Sequence, residues 1–394
     1  MDFYERALEL REETTAYRRH LHENAEVGVH LPKAAAYVKE QLSTMGLSPR
    51  VCGEGITATL GRGGRTLLLR ADMDALPMRE ESGLPFACTT GGAAHCCGHD
   101  LHTAMLLTAA KLLKEREGEL KGTVRLMFQT GEEVFKGAEN MIENGILEDP
   151  KPDAALAFHV GAGKMPVGLY MYNDTGAAMM SSMDGFKITV RGRGAHGAYP
   201  HNAIDPIHIA AQLHLALTAL TARESDPVHA CVLTVGELHA GSAPNIIPDT
   251  AQLQGTLRTN NREAREKLTE RIRRIAEGIA AVYGGEAQVE FPAQVPPLYC
   301  ASDITRAMVG YIGEMSVPNL QGVGGITSSA SEDFALIAEK IPSAFIYLSA
   351  GYTDERGAHP AHNAKVQFNE DVLPFGAAAF AHCAVRYLEN HDDQ

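Results

Sequence analysis

The sequence predicts an α/β protein into which a smaller α+β domain is inserted, and three observations support this prediction. The chain has 394 residues, more than the about 100–200 residues of a typical single domain. Up to residue 183, short apolar segments alternate with longer segments of helical spacing, which is typical of a mainly parallel mixed sheet flanked by helices. Beyond residue 183 the order of segments changes to one typical of a small α+β domain.

The first domain is predicted to open with two helices, because apolar residues recur there at helical spacing and Gly46 follows the second helix. Short apolar strands then alternate with further helices, which favours parallel strand pairing. The predicted helices cover residues 3–21, 31–45, 99–116 and 136–145, and the predicted strands cover residues 66–70, 124–129 and 154–158.

Polar side chains follow each of these three strands. Asp72 and Asp74 follow the first strand, Glu132 and Glu133 follow the second, and His159 follows the third. The carboxyl ends of parallel strands meet at one edge of a sheet, and α/β proteins bind their ligands beyond that edge. We therefore expect these side chains to lie close together at a binding site.

The inserted domain is predicted at residues 184–297, which assigns residues 1–183 and 298–394 to the first domain. Its segments follow the order strand, helix, strand, strand, helix, strand, the split βαβ arrangement of a ferredoxin-like domain. The strands are predicted at residues 186–191, 229–237, 250–258 and 286–291, and the helices at residues 205–222 and 262–282. The prolines of residues 292–297 mark the return to the first domain.

Composition and charge exclude several classes of protein. Hydrophobic residues make up 45% and charged residues 21% of the chain, and no apolar run approaches the about 20 residues that span a bilayer. The net charge of -14 disfavours a nucleic-acid partner. The seven cysteines are dispersed and odd in number, which disfavours a disulfide framework. The first residues lack the basic segment and apolar core of a secretory signal, so a soluble cytoplasmic protein without membrane contact is expected.

The most informative segment is residues 95–100, which place cysteine and histidine side chains directly before a predicted helix. Thiolate, imidazole and carboxylate are the ligands of zinc-type metals, and a catalytic site keeps one position open. Five candidate ligands exceed the needs of one open tetrahedral site and suit two ions about 3.5–4 Å apart. The candidates are Cys97, His99, Glu133, His159 and His362, with Cys96 as an alternative to Cys97 that spacing barely separates.

Each candidate also has an ordinary structural interpretation. A buried cysteine such as Cys97 is more often a small core residue than a ligand. By the same reasoning, His159 could be a satisfied core histidine and His362 an exposed loop residue. Their conjunction with carboxylates at one predicted sheet edge favours the metal site.

Glu132 is predicted to be the general base, because neighbouring residues at a strand end cannot both face one ion comfortably. It would take a proton from the attacking water and deliver it to the departing amine, which favours a pKa near neutrality. Asp72 and Asp74 could be turn residues, or they could orient the histidine ligands. We place Asp74 in the catalytic site.

The inserted domain offers weaker candidates. Glycines surround His196 and His201, which suits either a turn that presents an imidazole or an ordinary hairpin. Asn245 and Arg258 are either a loop residue and a surface charge, or an amide and a guanidinium suited to an anionic substrate end. The glycines of residues 322–325 lack the strand-then-helix context of a nucleotide loop, so no nucleotide cofactor is expected.

Seven sequence motifs follow one another along the chain: RRHLHE at residues 18–23, LRADMDALP at 69–77, HCCGHD at 95–100, FQTGEE at 128–133, GAHGAYPH at 194–201, NIIP at 245–248 and SEDF at 331–334. Through these motifs the sequence resembles, over nearly its whole length, the M20 family of metallopeptidases, most closely the amidohydrolase branch of aminoacylases, hippurate hydrolases and auxin-conjugate hydrolases. The resemblance implies a metal-binding catalytic domain, an inserted dimerisation or lid domain, and Cys97 rather than Cys96 as the ligand.

The resemblance also implies roles for single residues. Glu132 would be the general base, and His196 would reach the active site of the partner subunit to stabilise the oxyanion. Asn245 and Arg258 would hold the substrate carboxylate, and we assign His201 to substrate binding beside them. Two divalent ions would be held by Cys97, His99, Glu133, His159 and His362.

Two segments differ from the usual pattern of the branch without removing a ligand. QTGEE at residues 129–133 replaces Gln-Pro-Ala-Glu-Glu, and AHNA at residues 361–364 replaces a His-His-Pro type segment.

The expected activity is hydrolysis of the amide bond of an N-acyl amino acid with a free α-carboxylate, with manganese, zinc, cobalt or nickel as the metal. The expected assembly is a homodimer or higher homo-oligomer. A carboxypeptidase or dipeptidase is the nearest alternative, and a metal-stabilised binding protein without turnover is a third.

Overall fold

A computed structural model of the chain describes residues 2–390. Residue 1 and residues 391–394, which the sequence assigns to the first domain, lie outside this range. Within it the chain divides into two compact units. The first unit contains the residues up to Ala177, Tyr299–Ile326 and those from Asp333 onwards, and the second contains Ala178–Leu298 and Thr327–Glu332. A dimerisation or lid role for residues 184–297 stays a prediction.

The elements follow one another in an order that alternates strands and helices over most of the chain. The α-helices are Phe3–Glu9 (α1), Arg11–Glu23 (α2), Pro32–Thr44 (α3), His99–Glu115 (α4), Gly137–Glu143 (α5), Pro206–Glu224 (α6), Arg262–Val282 (α7), Ser302–Gly313 (α8), Ala335–Ala338 (α9) and Val372–Glu389 (α10). The strands are Arg50–Cys52 (β1), Gly55–Gly61 (β2), Thr66–Asp72 (β3), Thr123–Gln129 (β4), Ala154–Gly161 (β5), Leu169–Tyr172 (β6), Ala178–Met180 (β7), Met183–Arg191 (β8), Ala195–His196 (β9), Cys231–Ala240 (β10), Ile246–Ile247 (β11), Thr250–Thr259 (β12), Glu286–Val295 (β13), Leu298–Tyr299 (β14), Gln321–Val323 (β15) and Ser343–Ser349 (β16).

The first unit is built on an eight-stranded mixed sheet with the order β1-β2-β4-β3-β5-β16-β6-β15. Strand β3 pairs in parallel with β4 and β5, and β5 pairs in parallel with β16. The three strands predicted from sequence are therefore immediate neighbours, and the predicted α/β class with a mainly parallel mixed sheet is confirmed.

Helix α4 is deeply buried, since fourteen of its seventeen residues lie in the interior. It packs against β3 and β5 on the sheet and against α2, α3 and α10 on its other sides. Burial of each large apolar side chain stabilises such packing by roughly 1.5–3 kcal/mol. The position of the α4 N-terminus relative to the strand ends is therefore well determined.

The opening of the chain differs from the prediction of one helix over residues 3–21. It forms α1 and α2, separated at Leu10, whose backbone leaves the helical region at φ -87° and ψ 5°. The break allows α1 to pack mainly against α10 while α2 packs mainly against α4. The apolar periodicity did not indicate this change of partner.

The second unit contains a four-stranded antiparallel sheet with the order β10-β12-β8-β13, against which α6 and α7 pack. Its strands and long helices follow the order predicted from sequence. The last strand was predicted too short, because β13 continues through Pro292 to Val295. Its pairing with β8 shifts between Glu290 and Ala293, and this irregularity in an edge strand accommodates a residue without an N–H group. None of the described helices combines the length and apolar character needed to cross a bilayer.

Candidate active site

The carboxyl ends of β4, β3 and β5 lie side by side and bring the predicted side chains of the first unit to one edge. Asp72 ends β3, Glu132 and Glu133 follow β4 after a short turn, and His159 lies near the end of β5. The backbone N–H of Glu133 donates to Asp74 Oδ2 at 3.0 Å, which joins the β3 and β4 turns.

Gly98 places the two ligand candidates of the α4 N-terminus beside β5. Its φ of 90° lies in the left-handed region, and a Cβ atom there would approach Val160 Cγ2 to 2.3 Å. Both observations require glycine at this position. The tight turn leaves Cys97 just before α4 and His99 in its first turn.

The sulfur of Cys97 lies at the centre of the candidate cluster. Cys97 Sγ is 3.5 Å from His159 Nε2 and 3.3 Å from His362 Nε2. Two groups of potential metal ligands share it: one contains His99 and His159, the other Glu133 and His362. Neither of these groups includes Cys96, which packs in the hydrophobic core. The geometry thus favours Cys97 where spacing alone did not.

A hydrogen bond orients His159, and a close polar contact with Asp74 orients His99. His159 Nδ1 contacts the carbonyl oxygen of Val160 at 2.9 Å, so Nδ1 carries the proton and Nε2 turns its lone pair to Cys97. Burial lowers the pKa of His159 well below its ordinary value, which keeps the imidazole neutral, as a ligand must be. His99 Nδ1 lies 3.3 Å from Asp74 Oδ1, which directs Nε2 of His99 towards the cluster.

The second group joins a strand-end turn to the C-terminal part of the chain. Glu133 Oε1 is 3.5 Å from His362 Nε2. His362 adopts a φ of 64°, uncommon for a residue other than glycine. Its N–H donates to the carbonyl oxygen of Cys96 at 2.8 Å. This bond ties the His362 loop to the Cys97 turn, and left-handed residues of this kind concentrate at functional sites.

His102 lies beside these candidate ligands, but both of its ring nitrogens already make hydrogen bonds. The sequence analysis did not identify this residue. Its Nδ1 bonds to Asp72 Oδ1 at 2.6 Å, and its Nε2 accepts the N–H of Val160 at 2.8 Å. Both ring nitrogens are therefore used, which argues against His102 as a ligand. Its spacing three residues after His99 on α4 was the available signal, because such residues share a helix face.

The donor set fits a divalent cation. Buried His99 Nε2 and Glu133 Oε1 each lack a hydrogen-bond partner of normal geometry, and buried polar atoms are otherwise almost always paired. Burial also raises the pKa of the Cys97 thiol, whereas a coordinated cation would hold this sulfur as the thiolate. Thiolate, imidazole and carboxylate together suit zinc-type metals.

Glu132 is positioned beside this cluster rather than within its sulfur-centred groups. It is 6% exposed, and a ligand atom of its side chain lies within 4.8 Å of ligand atoms of His99 and Glu133. The backbone N–H of Asp333 donates to Glu132 Oε1 at 3.4 Å. A buried carboxylate next to a cation site is placed as a general base requires.

The candidates of the second unit fall into two places within that unit. His196 on β9 pairs with Ile246 on β11, and the N–H of Gly197 donates to the carbonyl oxygen of Asn245 at 2.8 Å. His196, His201 and Asn245 are exposed. Arg258 is half-buried on β12 and donates through Nη1 to Ser331 Oγ at 2.7 Å. Their roles in substrate binding and catalysis stay predictions.

A buried carboxylate beside a sulfur-centred cluster of potential ligands is the arrangement expected of a metal-dependent hydrolase. The model of peptidase family M20/M25/M40 matches residues 68–386. The chain belongs to this family, and it is accordingly a metal-dependent hydrolase of amide bonds.

Similar proteins place the chain in the amidohydrolase branch of the family. It is 35% identical over 388 residues to the N-acetyl-L-cysteine deacetylase of Bacillus subtilis, covering 98% of this chain and 90% of the relative. It is 36% identical over 380 residues to thermostable carboxypeptidase 2 of Saccharolobus solfataricus, covering 94% of each. The crystal structure of the Bacillus subtilis YXEP protein, described as a dinuclear metal binding peptidase from the M20 family, matches with a TM-score of 0.80 and 32% identity over 96% of this chain and 99% of that one.

Proposed function

We propose that this enzyme hydrolyses the amide bond of N-acyl-L-amino acids and releases an amino acid and a carboxylic acid, with two divalent ions bound per subunit. The observation that carries this proposal is the shared sulfur of Cys97, which belongs to one ligand group with His99 and His159 and to another with Glu133 and His362. One thiolate between two groups suits a binuclear centre of the kind that amidases use.

In this proposal Glu132 moves the proton of the reaction. It accepts a proton from the water that attacks the acyl carbon and delivers it to the nitrogen of the departing amino acid. When bound, manganese, zinc, cobalt or nickel ions would supply Lewis-acid polarisation of the acyl carbonyl and would favour deprotonation of the water. Asp74 orients His99 and also holds the backbone of Glu133, so it maintains the geometry of both ligand groups.

The second unit would supply the groups that bind the substrate. His196, from the partner subunit, would stabilise the oxyanion, since a donor placed where negative charge develops lowers the barrier. Arg258 and Asn245 would bind the substrate α-carboxylate, with His201 beside them. Burial lowers the pKa of Arg258, but its guanidinium stays charged at neutral pH and suits a carboxylate.

A carboxypeptidase or dipeptidase that uses the same ligands is the second candidate. The thermostable carboxypeptidase relative supports it, whereas the deacetylase relative supports the first. The two activities differ only in whether the acyl side of the scissile bond is an aminoacyl group.

Amine release from a substrate panel is expected to separate these candidates. The purified enzyme, loaded with manganese or zinc, would be assayed with N-acetyl, N-benzoyl and longer N-acyl amino acids, with dipeptides, and with N-acyl amino acid amides. We expect cleavage of the N-acyl set, loss of cleavage in chelator, recovery on readdition of metal, and a KM at least about tenfold higher for the amides, because a missing charged contact costs about 1.5–3 kcal/mol.

Other outcomes of the panel would change the assignment. Preferential cleavage of dipeptides would make the enzyme a peptidase. Equal cleavage of acids and amides would remove the α-carboxylate contact from the proposal, and chelator-resistant cleavage would contradict metal dependence.

We also propose a homodimer that forms through the second unit. Leu215 on α6 is 63% exposed and Val232 on β10 is 54% exposed, and α6 and β10 pack against each other. Strand β10 is an edge of its sheet among the described residues, and an uncovered edge readily pairs with another chain. Sedimentation velocity should show a dimer for the wild type and a monomer for Leu215→Arg. A wild-type monomer would contradict the proposal.

For the cellular compartment of the protein we propose the cytoplasm, which cell fractionation tests.

A further inference from the structure

Asp333 lies at a junction of buried polar groups that the metal cluster itself does not contain. It precedes α9, belongs to the first unit and is fully buried. A buried carboxylate is stable only where several donors surround it. The identity and position of those donors indicate what Asp333 does.

The carboxylate of Asp333 holds both ends of the loop that carries Glu132. Gln129, the last residue of β4, donates through Nε2 to the two carboxylate oxygens at 2.7 and 2.9 Å. Ala138, in the first turn of α5, donates its N–H to Oδ2 at 2.9 Å. The eight residues between these two attachment points, 130–137, include both Glu132 and Glu133.

The same loop is also closed on itself. The N–H groups of Lys136 and Gly137 both lie 3.1 Å from the carbonyl oxygen of Gly131. A Cβ atom on Gly137 would approach the carbonyl oxygen of Thr130 to 1.5 Å. Because the loop is this tight, a shift at its attachment to Asp333 is transmitted to Glu132 rather than absorbed.

Asp333 also contacts Glu132 directly and joins it to the neighbouring strand. Its N–H donates to Glu132 Oε1 at 3.4 Å, so one residue anchors the loop with its side chain and orients the carboxylate with its backbone. Arg70 Nη2 donates to Asp333 Oδ1 at 3.1 Å, and Arg70 Nη1 donates to Asp72 Oδ2 at 2.6 Å. The anchor of Glu132 is thereby connected to β3.

We propose that Asp333 is a positioning residue that holds Glu132 in the geometry required for proton transfer. This inference rests on the proposed role of Glu132. Catalytic groups act efficiently only when held within roughly 0.5 Å of their productive position. Asp333 contributes no metal contact in this proposal, so its loss should affect the rate of the chemical step and leave metal binding intact.

Asp333→Asn is the variant that tests the proposal. Asparagine offers one acceptor oxygen where the aspartate accepts donors on both, so its amide group would face Gln129 Nε2 or the N–H of Ala138, and the loop would shift. We expect kcat to fall by about 10–100-fold, since a displacement near 1 Å can cost about 10²-fold. KM and the zinc content per subunit should change less than about twofold.

Asp184→Asn is a matched control. Asp184 is a fully buried aspartate of the second unit that accepts three hydrogen bonds from Arg265 and one from Gln294 at 2.7–3.0 Å. It therefore has the same combination of guanidinium and amide donors. We expect the two variants to lower the melting temperature similarly, while kcat falls only in Asp333→Asn.

Two further measurements separate positioning from a general loss of structure. In Asp333→Asn combined with Glu132→Gln, kcat should equal that of Glu132→Gln alone, because residues that act as a unit are not additive. A crystal structure of zinc-loaded Asp333→Asn should show the Glu132 carboxylate displaced while Cys97 and His159 stay in place. Independent, multiplicative rate losses or an undisplaced Glu132 would overturn the proposal.

The assay uses whichever class of the panel the wild type cleaves fastest, so an error in the proposed substrate class leaves the comparison valid. If the wild type cleaves no member, the proposed function fails, and the crystal structure still decides the position of Glu132. If Asp333→Asn does not fold, Gln129→Met replaces it, since this variant removes the amide that donates to both oxygens of Asp333. We expect the same loss of kcat in smaller degree, and an unchanged kcat would overturn the proposal.

Discussion

Replacement of Glu132 by glutamine is expected to lower kcat by about 10²–10⁴-fold, the range that general acid–base catalysis contributes. Glutamine has nearly the same shape as glutamate but cannot accept the proton of the attacking water. The metal content should persist, because the two sulfur-centred ligand groups do not include Glu132. Amine release measured together with metal content per subunit checks both parts of this expectation.

Glu139→Gln is the matched control for this prediction. Glu139 lies in the first turn of α5, is exposed, and pairs only with Lys136 among the described residues at 3.0 Å. Its substitution removes one surface charge of the same loop region and should leave kcat within about twofold, since exposed ion pairs contribute little. Unchanged activity in Glu132→Gln would remove Glu132 from the mechanism, and loss of metal would reassign it as a ligand.

The Glu132 variant also decides between turnover and binding alone. A metal-stabilised binding protein would show no difference between wild type and Glu132→Gln in any assay of amine release. A large difference with metal retained is the result that only a hydrolase gives. Slow chemistry in the variant would further allow the intact substrate to be observed bound in a crystal.

The edge of the parallel sheet was predictable from the sequence because local patterns determine it. Apolar segments that lead into Asp72, Glu132 or His159 predict a buried strand and indicate a polar binding site at the end of that strand. Parallel pairing then brings such ends together without knowledge of any particular contact.

The supporting residues were not predictable in this way. Arg70 lies within an apolar strand. A charged residue in such a strand indicates a buried ion pair, but the sequence does not show which residue is its partner. Its partners are Asp72, two residues away, and Asp333, which is remote in sequence. His102 likewise depends on the N–H of Val160. Contacts of this kind form only when the whole unit has folded, so the spacing of residues in the sequence cannot predict them.

The break at Leu10 and the length of β13 were missed for a related reason. Apolar periodicity indicates that one face of a helix is buried, but it does not indicate which neighbouring element packs against that face. Helices α1 and α2 continue one periodic pattern while they pack against different helices. Pro292 is a strong breaker in isolation, yet an edge position with an irregular register tolerates it.

Replacement of Cys97 by serine is expected to abolish stable metal binding, and this is the largest effect we predict on the metal content. Cys97 is the residue common to both ligand groups, so its loss weakens two sites at once. The serine hydroxyl does not ionise near neutral pH and is a poor substitute for a thiolate. Substitution of a residue that merely supports a ligand already weakens binding about 10–100-fold, and removal of a shared ligand should weaken it more.

Cys96→Ser provides the comparison that makes this result interpretable. Cys96 is adjacent in sequence and equally a buried thiol, but it packs in the core and lies outside both ligand groups. We expect Cys96→Ser to retain metal and most activity while it loses some stability, since a polar hydroxyl replaces a buried apolar contact. Metal content after dialysis and the thiolate-to-cobalt absorption of the cobalt-loaded proteins measure the difference. Retention of two ions in Cys97→Ser would show that this sulfur is not required for metal binding. Loss of the ions in Cys96→Ser alone would assign the ligand sulfur to Cys96. Either result would overturn the arrangement on which the proposed mechanism depends.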